Sequence, residues 1–237
     1  MTGDGATLDG SRVLVTGASR GYGAAIARAL AAHGARLVLT ATDLDRLARV
    51  EHDCREAGAG CVLVPLDLTS AASVDAAAEA IARAVPRLEG VVMNAGVLGP
   101  LGPIGTTDVG ATARTLQVDL VGQVRLLQRL APLIADRAGV VLVTSDAAGR
   151  PGYGAYGLGK AGLEALGLML RDEWAGRGIR VVAVNPGPMR TAMRAEAHPE
   201  ENPATVPPPS ERVAPVLAVL KGVDPGPRVQ AAEWGLS

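Results

Sequence analysis

Six short apolar runs alternate with helical segments along this chain, and that alternation constrains its fold more than any other feature. The runs lie at 13–15, 36–40, 61–64, 90–93, 140–143 and 179–184. Each is rich in Val and Leu, and none shows the polar alternation of a strand with one wet face. Runs of this length and branching predict strands buried on both sides. The segments between them carry helical spacing: an Ala-rich stretch ending at Gly34, then 43–57, 73–85, 109–135 and 156–175. Asp43 is placed to cap its helix. A helix at 210–220 and an edge strand at 228–232 complete the pattern. Strands separated by helices predict a parallel sheet covered on both faces, with right-handed crossovers. The 237 residues suit one α/β domain over 1–237.

The turn after the first run, TGASRGYG at 16–23, holds Gly17, Gly21 and Gly23 between a strand and a helix. Glycine permits the tight turn and lets the backbone approach an anion closely. The helix N-terminus adds free N–H groups. This context predicts a pyrophosphate-binding turn of spacing GxxxGxG.

Composition removes several classes. Net charge is −1, so nothing draws the chain to nucleic acid or an anionic membrane. No apolar run reaches the ~18 residues of a membrane span. The start, MTGDGATLDGSR, has no signal-peptide core. Cys54 and Cys61 form no metal pattern, and no metal is expected. They suit buried free thiols of a cytoplasmic protein.

Tyr156 and Lys160 are four apart at the start of a predicted helix, so they share one face. An ammonium beside a phenol favours the phenolate. Such a Tyr can protonate a forming alkoxide or take a proton from an alcohol.

With these pieces in order, the sequence resembles the short-chain dehydrogenase/reductases. The matching motifs are TGASRGYG at 16–23, PLDLT at 65–69, NAG at 94–96, YGLGK at 156–160 and NPGPMRT at 185–191. The resemblance covers roughly 10 to 235. It implies a Rossmann-like, doubly wound parallel sheet of about seven strands and a nicotinamide cofactor. It also implies roles by position. Gly17, Ser19, Arg20, Gly21, Tyr22 and Gly23 would hold the pyrophosphate and adenosine end. Asp67 and Leu68 would contact the adenine, while Asn94, Ala95 and Gly96 would line the ribose. Lys160 would bind the nicotinamide ribose, with Tyr156 beside it. Pro186, Gly187 and Thr191 would face the carboxamide. The implied activity is hydride transfer between nicotinamide and a small carbonyl, alcohol, imine or iminium. The alternative is a cofactor-binding scaffold with weak or lost chemistry.

Two positions depart from the family pattern. Asp119 stands where the family has an Asn, and Asp146 stands where it has a Ser, with Ser145 just before. The stretch to Tyr156 is also shorter than usual, so either Ser145 or Asp146 can fill the Ser role. Two carboxylates near the reacting atoms would suit a cationic substrate, and this pairing predicts Asp146 facing the reacting centre. For the cofactor, the second strand ends LTATD, without the acid of NAD-binding members at Ala41 or the Arg of NADP-binding members at Thr42. Arg20, Thr40 and Thr42 favour NADP(H), with NAD(H) as the alternative. Leu98, Tyr153, Met189, Met193 and His198 are candidate pocket residues. The Pro-rich segment 188–209 is expected to be a mobile substrate loop. Leu116, Leu120 and Val124, with Leu163, Leu166 and Leu170, form apolar helix faces of the kind the family uses in homodimers and homotetramers.

Overall fold

The computed structural model describes residues 7–235. Residues 1–6 of the polar N-terminal stretch and residues 236–237 of the expected domain lie outside the described residues. Seven strands form one parallel sheet: β1 (Arg12–Thr16), β2 (Arg36–Ala41), β3 (Cys61–Pro65), β4 (Leu88–Met93), β5 (Ile134–Val143), β6 (Arg180–Asn185) and β7 (Arg228–Gln230). Their order is β3-β2-β1-β4-β5-β6-β7. This is the doubly wound, Rossmann-like sheet that the alternation of runs predicts.

The sheet's two faces follow from the period of two along each strand. Val13, Val15, Leu37, Leu39, Val141 and Val182 point to one side. There they meet α1 (Gly21–Ala32), α2 (Leu44–Glu56) and α8 (Ala214–Leu220). Leu14, Val38, Val91, Val140 and Val181 point to the other side. That layer is built by α3 (Ala71–Ala84), α5 (Gly122–Leu130) and α6 (Gly154–Glu173). Ile26 and Leu30 of α1 are fully buried. A buried side chain of this size contributes about 1.5–3 kcal/mol, so α1 is anchored firmly behind the glycine turn.

The helix expected over 109–135 is three elements. α4 (Val109–Leu116) runs into a π-helical turn, Gln117–Val121, and then into α5. The helix stops at Leu130 because Pro132 has no N–H for the next helical bond, and residues from Ile134 onward join β5. Leu88 pairs with Ile134, and the register shifts before Gly90 pairs with Gly139. Arg137 takes the extra turn at φ 62°. The helix expected at 210–220 starts at Ala214, behind a 3-10 turn, Pro209–Arg212. The edge strand is shorter than expected and ends at Gln230.

The segment 188–209 is also ordered in part. Thr191 caps α7 (Ala192–Ala197) by accepting from the Arg194 N–H at 3.2 Å. Arg194 then grips Glu201 with two bonds of 2.7 and 2.6 Å. The helix faces expected for oligomer contacts divide. Leu163 and Leu170 are buried and Leu166 packs against the protomer's own core. Leu120 lies over Gly162 of α6, where an added Cβ would come within 2.6 Å of its side chain. The large exposed apolar residues of these helices are Val109, Val121, Leu158, Leu168 and Met169.

The π turn delivers Gly122 against the backbone of the β3–α3 loop. A Cβ there would sit 2.5 Å from the Leu68 carbonyl oxygen and 2.9 Å from that of Gln117. Neither oxygen can swing away as a side-chain tip can. Alanine at a helical site gains about 1 kcal/mol over glycine, but overpacking costs about 1–3 kcal/mol. Gly122→Ala is therefore expected to lower the urea unfolding midpoint. A midpoint at or above the parent's would contradict the close approach.

Candidate active site

Strand order reverses at β1, whose neighbours are β2 and β4. The loops leaving β1 and β4 at their C-terminal ends part there and open a crevice, the usual ligand position of such sheets. The cavity is about 860 Å³ and runs from Thr42 and Asp67 at one end to Tyr153 and His198 at the other.

One hydroxyl ties the two loops together. Thr16 Oγ1 accepts from the N–H of Asn94 at 2.9 Å and of Ala95 at 3.0 Å. The Asn94 side-chain amide donates to the carbonyls of Thr16 at 2.9 Å and Gly17 at 3.2 Å. Gly17 has φ 64°, and a Cβ on it would lie 2.8 Å from Ala95 Cα. A Cβ on Gly23 would lie 2.3 Å from the Gly17 carbonyl oxygen. The glycines are thus required by the fold of the turn itself.

The helix this turn opens is left bare at its N-terminus. α2 is capped by Asp43 and α3 by Ser70, whereas α1 has no side-chain cap and no acid in its first turn. Its free N–H groups face the crevice and suit an anion. Gly21, at φ 56°, lies directly under the Thr191 side chain, 3.5 Å from the position of a Cβ. The start of α7 therefore overhangs the start of α1. Ser19 and Arg20 line the same stretch, and Arg20 is exposed. Tyr22 turns inward, where its hydroxyl donates to the Arg212 carbonyl at 2.7 Å. Burial pushes this phenol's pKa upward, and the hydroxyl anchors the turn while Tyr22 also lines the crevice.

At the crevice's other flank, Asp67 accepts from the Thr69 hydroxyl at 2.7 Å and N–H at 2.8 Å. These bonds hold its carboxyl below the ordinary range, the hydroxyl contributing most. Thr40 Oγ1 is buried without a hydrogen-bond partner, and Thr42 is exposed beside it. Asp43 accepts from the Arg46 N–H, as expected of a cap. A bare helix N-terminus, a glycine turn, an unpartnered hydroxyl and a fixed carboxylate fit a dinucleotide laid across the switch point.

The other end carries the acid–base groups. Tyr156 and Lys160 lie on one face of α6, both buried, with Lys160 Nζ 5.6 Å from the Tyr156 ring centre. Lys160 Nζ donates to the Val143 carbonyl at 2.9 Å. Asp119, in the π turn, is fully buried. Its Oδ1 accepts from the Val97 N–H at 2.8 Å, and its Oδ2 has no partner. A Cβ on Gly96 would lie 3.2 Å from Asp119 Oδ1 and 3.3 Å from Lys160 Nζ, so the two charges flank one small gap. Burial raises the Asp119 carboxyl to about 6, against the opposing pull of Lys160 and the Val97 N–H.

Ser145 and Asp146 point differently. Ser145 Oγ accepts from the Ala147 N–H at 3.1 Å, which leaves its own proton to donate. Asp146 Oδ1 accepts from the side-chain amides of Asn185 and, at 3.2 Å, Gln230, with Arg228 at 3.8 Å. Asp146 lines the cavity together with Ser145 and Tyr156, but its carboxylate is engaged by amides from the ends of β6 and β7. Its side chain is 52% exposed, and its charge is shared with the ends of β6 and β7. Asn185 in turn accepts from the Gly187 N–H at 2.9 Å, shaping the Pro186–Gly187 turn.

Leu98, Tyr153 and Met193 gather around Tyr156, and His198 lines the same end of the cavity. Met189 packs toward the inner core. Sequence reasoning missed Gln123, whose amide donates to the carbonyls of Ala95 at 3.0 Å and Asp119 at 3.1 Å. An amide on the face shared with Leu126, Leu127 and Leu130 was the available signal. It also missed Arg150 and the Gln230–Arg228 pair.

The raised Asp119 value makes a stability prediction. The unfolded carboxyl titrates near 3.9, so the folded state holds its proton more tightly. This stabilisation is complete below about pH 4 and is lost as pH rises through about 6. About two units of difference correspond to about 3 kcal/mol. Asp119→Asn keeps the shape but cannot titrate. Wild-type stability relative to that variant should fall by about 2–3 kcal/mol between pH 4 and 7.5, measured by urea unfolding. A pH-independent difference would contradict the buried charge.

Known proteins share this sequence pattern and fold. The family model described as short chain dehydrogenase matches residues 11–202. The uncharacterized oxidoreductase YciK of Escherichia coli (strain K12) is 36% identical over 219 residues, 90% of this chain and 86% of its own length. Its 0.95 Å structure superposes with a TM-score of 0.89 at 32% identity, covering 95% of this chain and 96% of that one. Cis-4-hydroxycyclohexanecarboxylate dehydrogenase of Sinomonas cyclohexanicum is 36% identical over 181 residues, 73% of this chain and 71% of its own. A short chain dehydrogenase of Shigella flexneri 2a strain 301, solved as a complex with NADP, superposes with a TM-score of 0.88 at 32% identity, covering 95% and 98%. The chain is an oxidoreductase and belongs to the short-chain dehydrogenase family.

Proposed function

We propose that the protein transfers hydride between NADP(H) and a small carbonyl compound or its alcohol, with Tyr156 as the proton donor. The observation that carries this reading is the buried Tyr156–Lys160 pair at the closed end of the crevice. When bound, the nicotinamide supplies or accepts the hydride. Tyr156 gives its phenolic proton to the oxygen that gains charge, and Lys160 holds a cation beside the phenolate so formed. Ser145 donates its free hydroxyl proton to the same oxygen. Asp119 balances the Lys160 charge from across the gap at Gly96. Asp146 acts at one remove, through Asn185, on the turn expected to meet the carboxamide.

This division favours a carbonyl over an iminium substrate. A half-exposed carboxylate that already accepts two amides offers little field to a cationic carbon. For the cofactor, the exposed Arg20 at the glycine turn and the absence of an acid at Ala41 favour the 2′-phosphate form. The NADP complex of the Shigella relative supports the same choice. The exposed Val121, Leu158, Leu168 and Met169 support a homodimer or homotetramer. The free thiols of Cys54 and Cys61 suit a cytoplasmic setting.

Tyr156→Phe is expected to slow steady-state NADPH oxidation by about 10²–10⁴-fold, with NADPH binding retained. Arg20→Ala should weaken NADPH by about tenfold or more and leave NADH nearly unchanged. Equal losses for both cofactors would mean that Arg20 only shapes the loop. Ser145→Ala should reduce kcat more than Asp146→Ser does. The reverse order would return Asp146 to the reacting centre.

A further inference from the structure

Among the cations at the substrate end, Arg150 is the one without a carboxylate beside it. Arg228 bonds Glu164 at 2.9 Å and lies 3.8 Å from Asp146, Arg194 pairs with Glu201, and Asp119 stands across from Lys160. Arg20 and Arg190 line the cavity too, but Arg20 begins α1 and Arg190 precedes Thr191, which overhangs Gly21. Both belong to the phosphate end. Arg150 stands in the turn between β5 and α6. Among the described residues, no carboxylate lies within ion-pair distance of it.

The turn holds Arg150 from both sides. Gly149 N–H donates to the Gly157 carbonyl at 3.1 Å, and Gly102 N–H donates to the Gly152 carbonyl at 2.8 Å. The Arg150 guanidinium lies over the Tyr153 ring, 6.0 Å from its centre. Arg150 is exposed, and this contact leaves the N–H donors of its fork free. Tyr153 ends in the apolar cluster around Tyr156, with Leu98, Met193 and Ala197. A molecule placed against Tyr156 therefore meets apolar walls and, at the Tyr153 side, one unpaired planar cation.

We propose that the substrate is a secondary alcohol or ketone with an apolar body and a carboxylate, and that Arg150 binds the carboxylate. This rests on the hydride-transfer reading above and narrows it. A guanidinium and a carboxylate match as two parallel hydrogen bonds. A cationic substrate would instead meet a like charge at the mouth of its pocket.

The test uses secondary hydroxy acids, each paired with its methyl ester, assayed with NADP⁺ on the wild type, Arg150→Gln and Arg150→Lys. The acids should exceed their esters in kcat/KM by about tenfold or more, chiefly through KM. Arg150→Gln should collapse that ratio towards one, and Arg150→Lys should restore part of it. A wild type that prefers esters, or a ratio unchanged in Arg150→Gln, overturns the proposal. Calorimetric binding of the same acids and esters to the NADPH complex reads the preference without turnover. Tighter binding of the acids with no oxidation of any pair would sink hydride transfer and keep the carboxylate site. Acids that bind no more tightly than esters would sink the carboxylate site alone.

Discussion

The crevice depends on the hydroxyl of Thr16. It stands where β1 and β4 part, and it takes two backbone N–H groups that the end of β4 leaves without sheet partners. Its own proton is directed to the Val92 carbonyl at 3.4 Å. A hydroxyl can accept twice and donate once, so a single atom satisfies all three groups. A buried N–H left unpaired would cost about 1–3 kcal/mol. The same contact presses Gly17 against Ala95 and so sets the direction in which the first turn of α1 faces. The anion-binding end is thus a consequence of how two strands separate.

That knot continues to the acid–base end. Ala95 is held through its N–H by Thr16 and through its carbonyl by Gln123. Gln123 also donates to the Asp119 carbonyl in the π turn. Asp119 then holds Val97, two residues past Ala95. The glycine turn, the Asn94–Gly96 turn and the π turn are one hydrogen-bonded unit. Lys160 joins it from α6, its ammonium buried and bonded to the last carbonyl of β5. A buried cation with one carbonyl needs a counter-charge nearby, and Asp119 is the acid that burial has placed there. Burial raises the Asp119 carboxyl to about 6, and Lys160 across the gap pulls it back towards the charged form.

Much of this was legible in the sequence, for identifiable reasons. Buried parallel strands are continuous apolar runs, so 13–15, 36–40, 61–64 and 140–143 announced themselves. The glycine turn was legible because only glycine tolerates the approach of Ala95 at residue 17 and of the Gly17 carbonyl at residue 23. The start of β5 was not. Ile134 to Ala138 continues a helical spacing, and only the pairing of Ile134 with Leu88 makes it strand. Helical periodicity is blind to one added residue, so the π turn at Gln117–Val121 was invisible as well. Side-chain direction was the least legible property. Asp146 follows the fifth strand where a carboxylate would face the reacting centre. Its actual partners, Asn185, Gln230 and Arg228, come from β6 and β7, some 40 to 80 residues away in sequence.

The two acids that depart from the family pattern show why residue type alone could not settle the chemistry. Both replace neutral groups near the same crevice. Asp119 is fully buried, sees one backbone N–H and one cation, and has an oxygen with no partner. Its protonation is therefore set by the competition between desolvation and Lys160. Asp146 is half exposed and hydrogen-bonded to amides, so solvent and Arg228 absorb its charge. The first acid faces an internal cation, and the second is held by amides at the surface with Arg228, which Glu164 also engages, 3.8 Å away. Among the described residues no carboxylate pairs with the Arg150 guanidinium, which lies over the Tyr153 ring. On the reading proposed above, the pocket suits an anion rather than the cation that its two acids suggest in sequence.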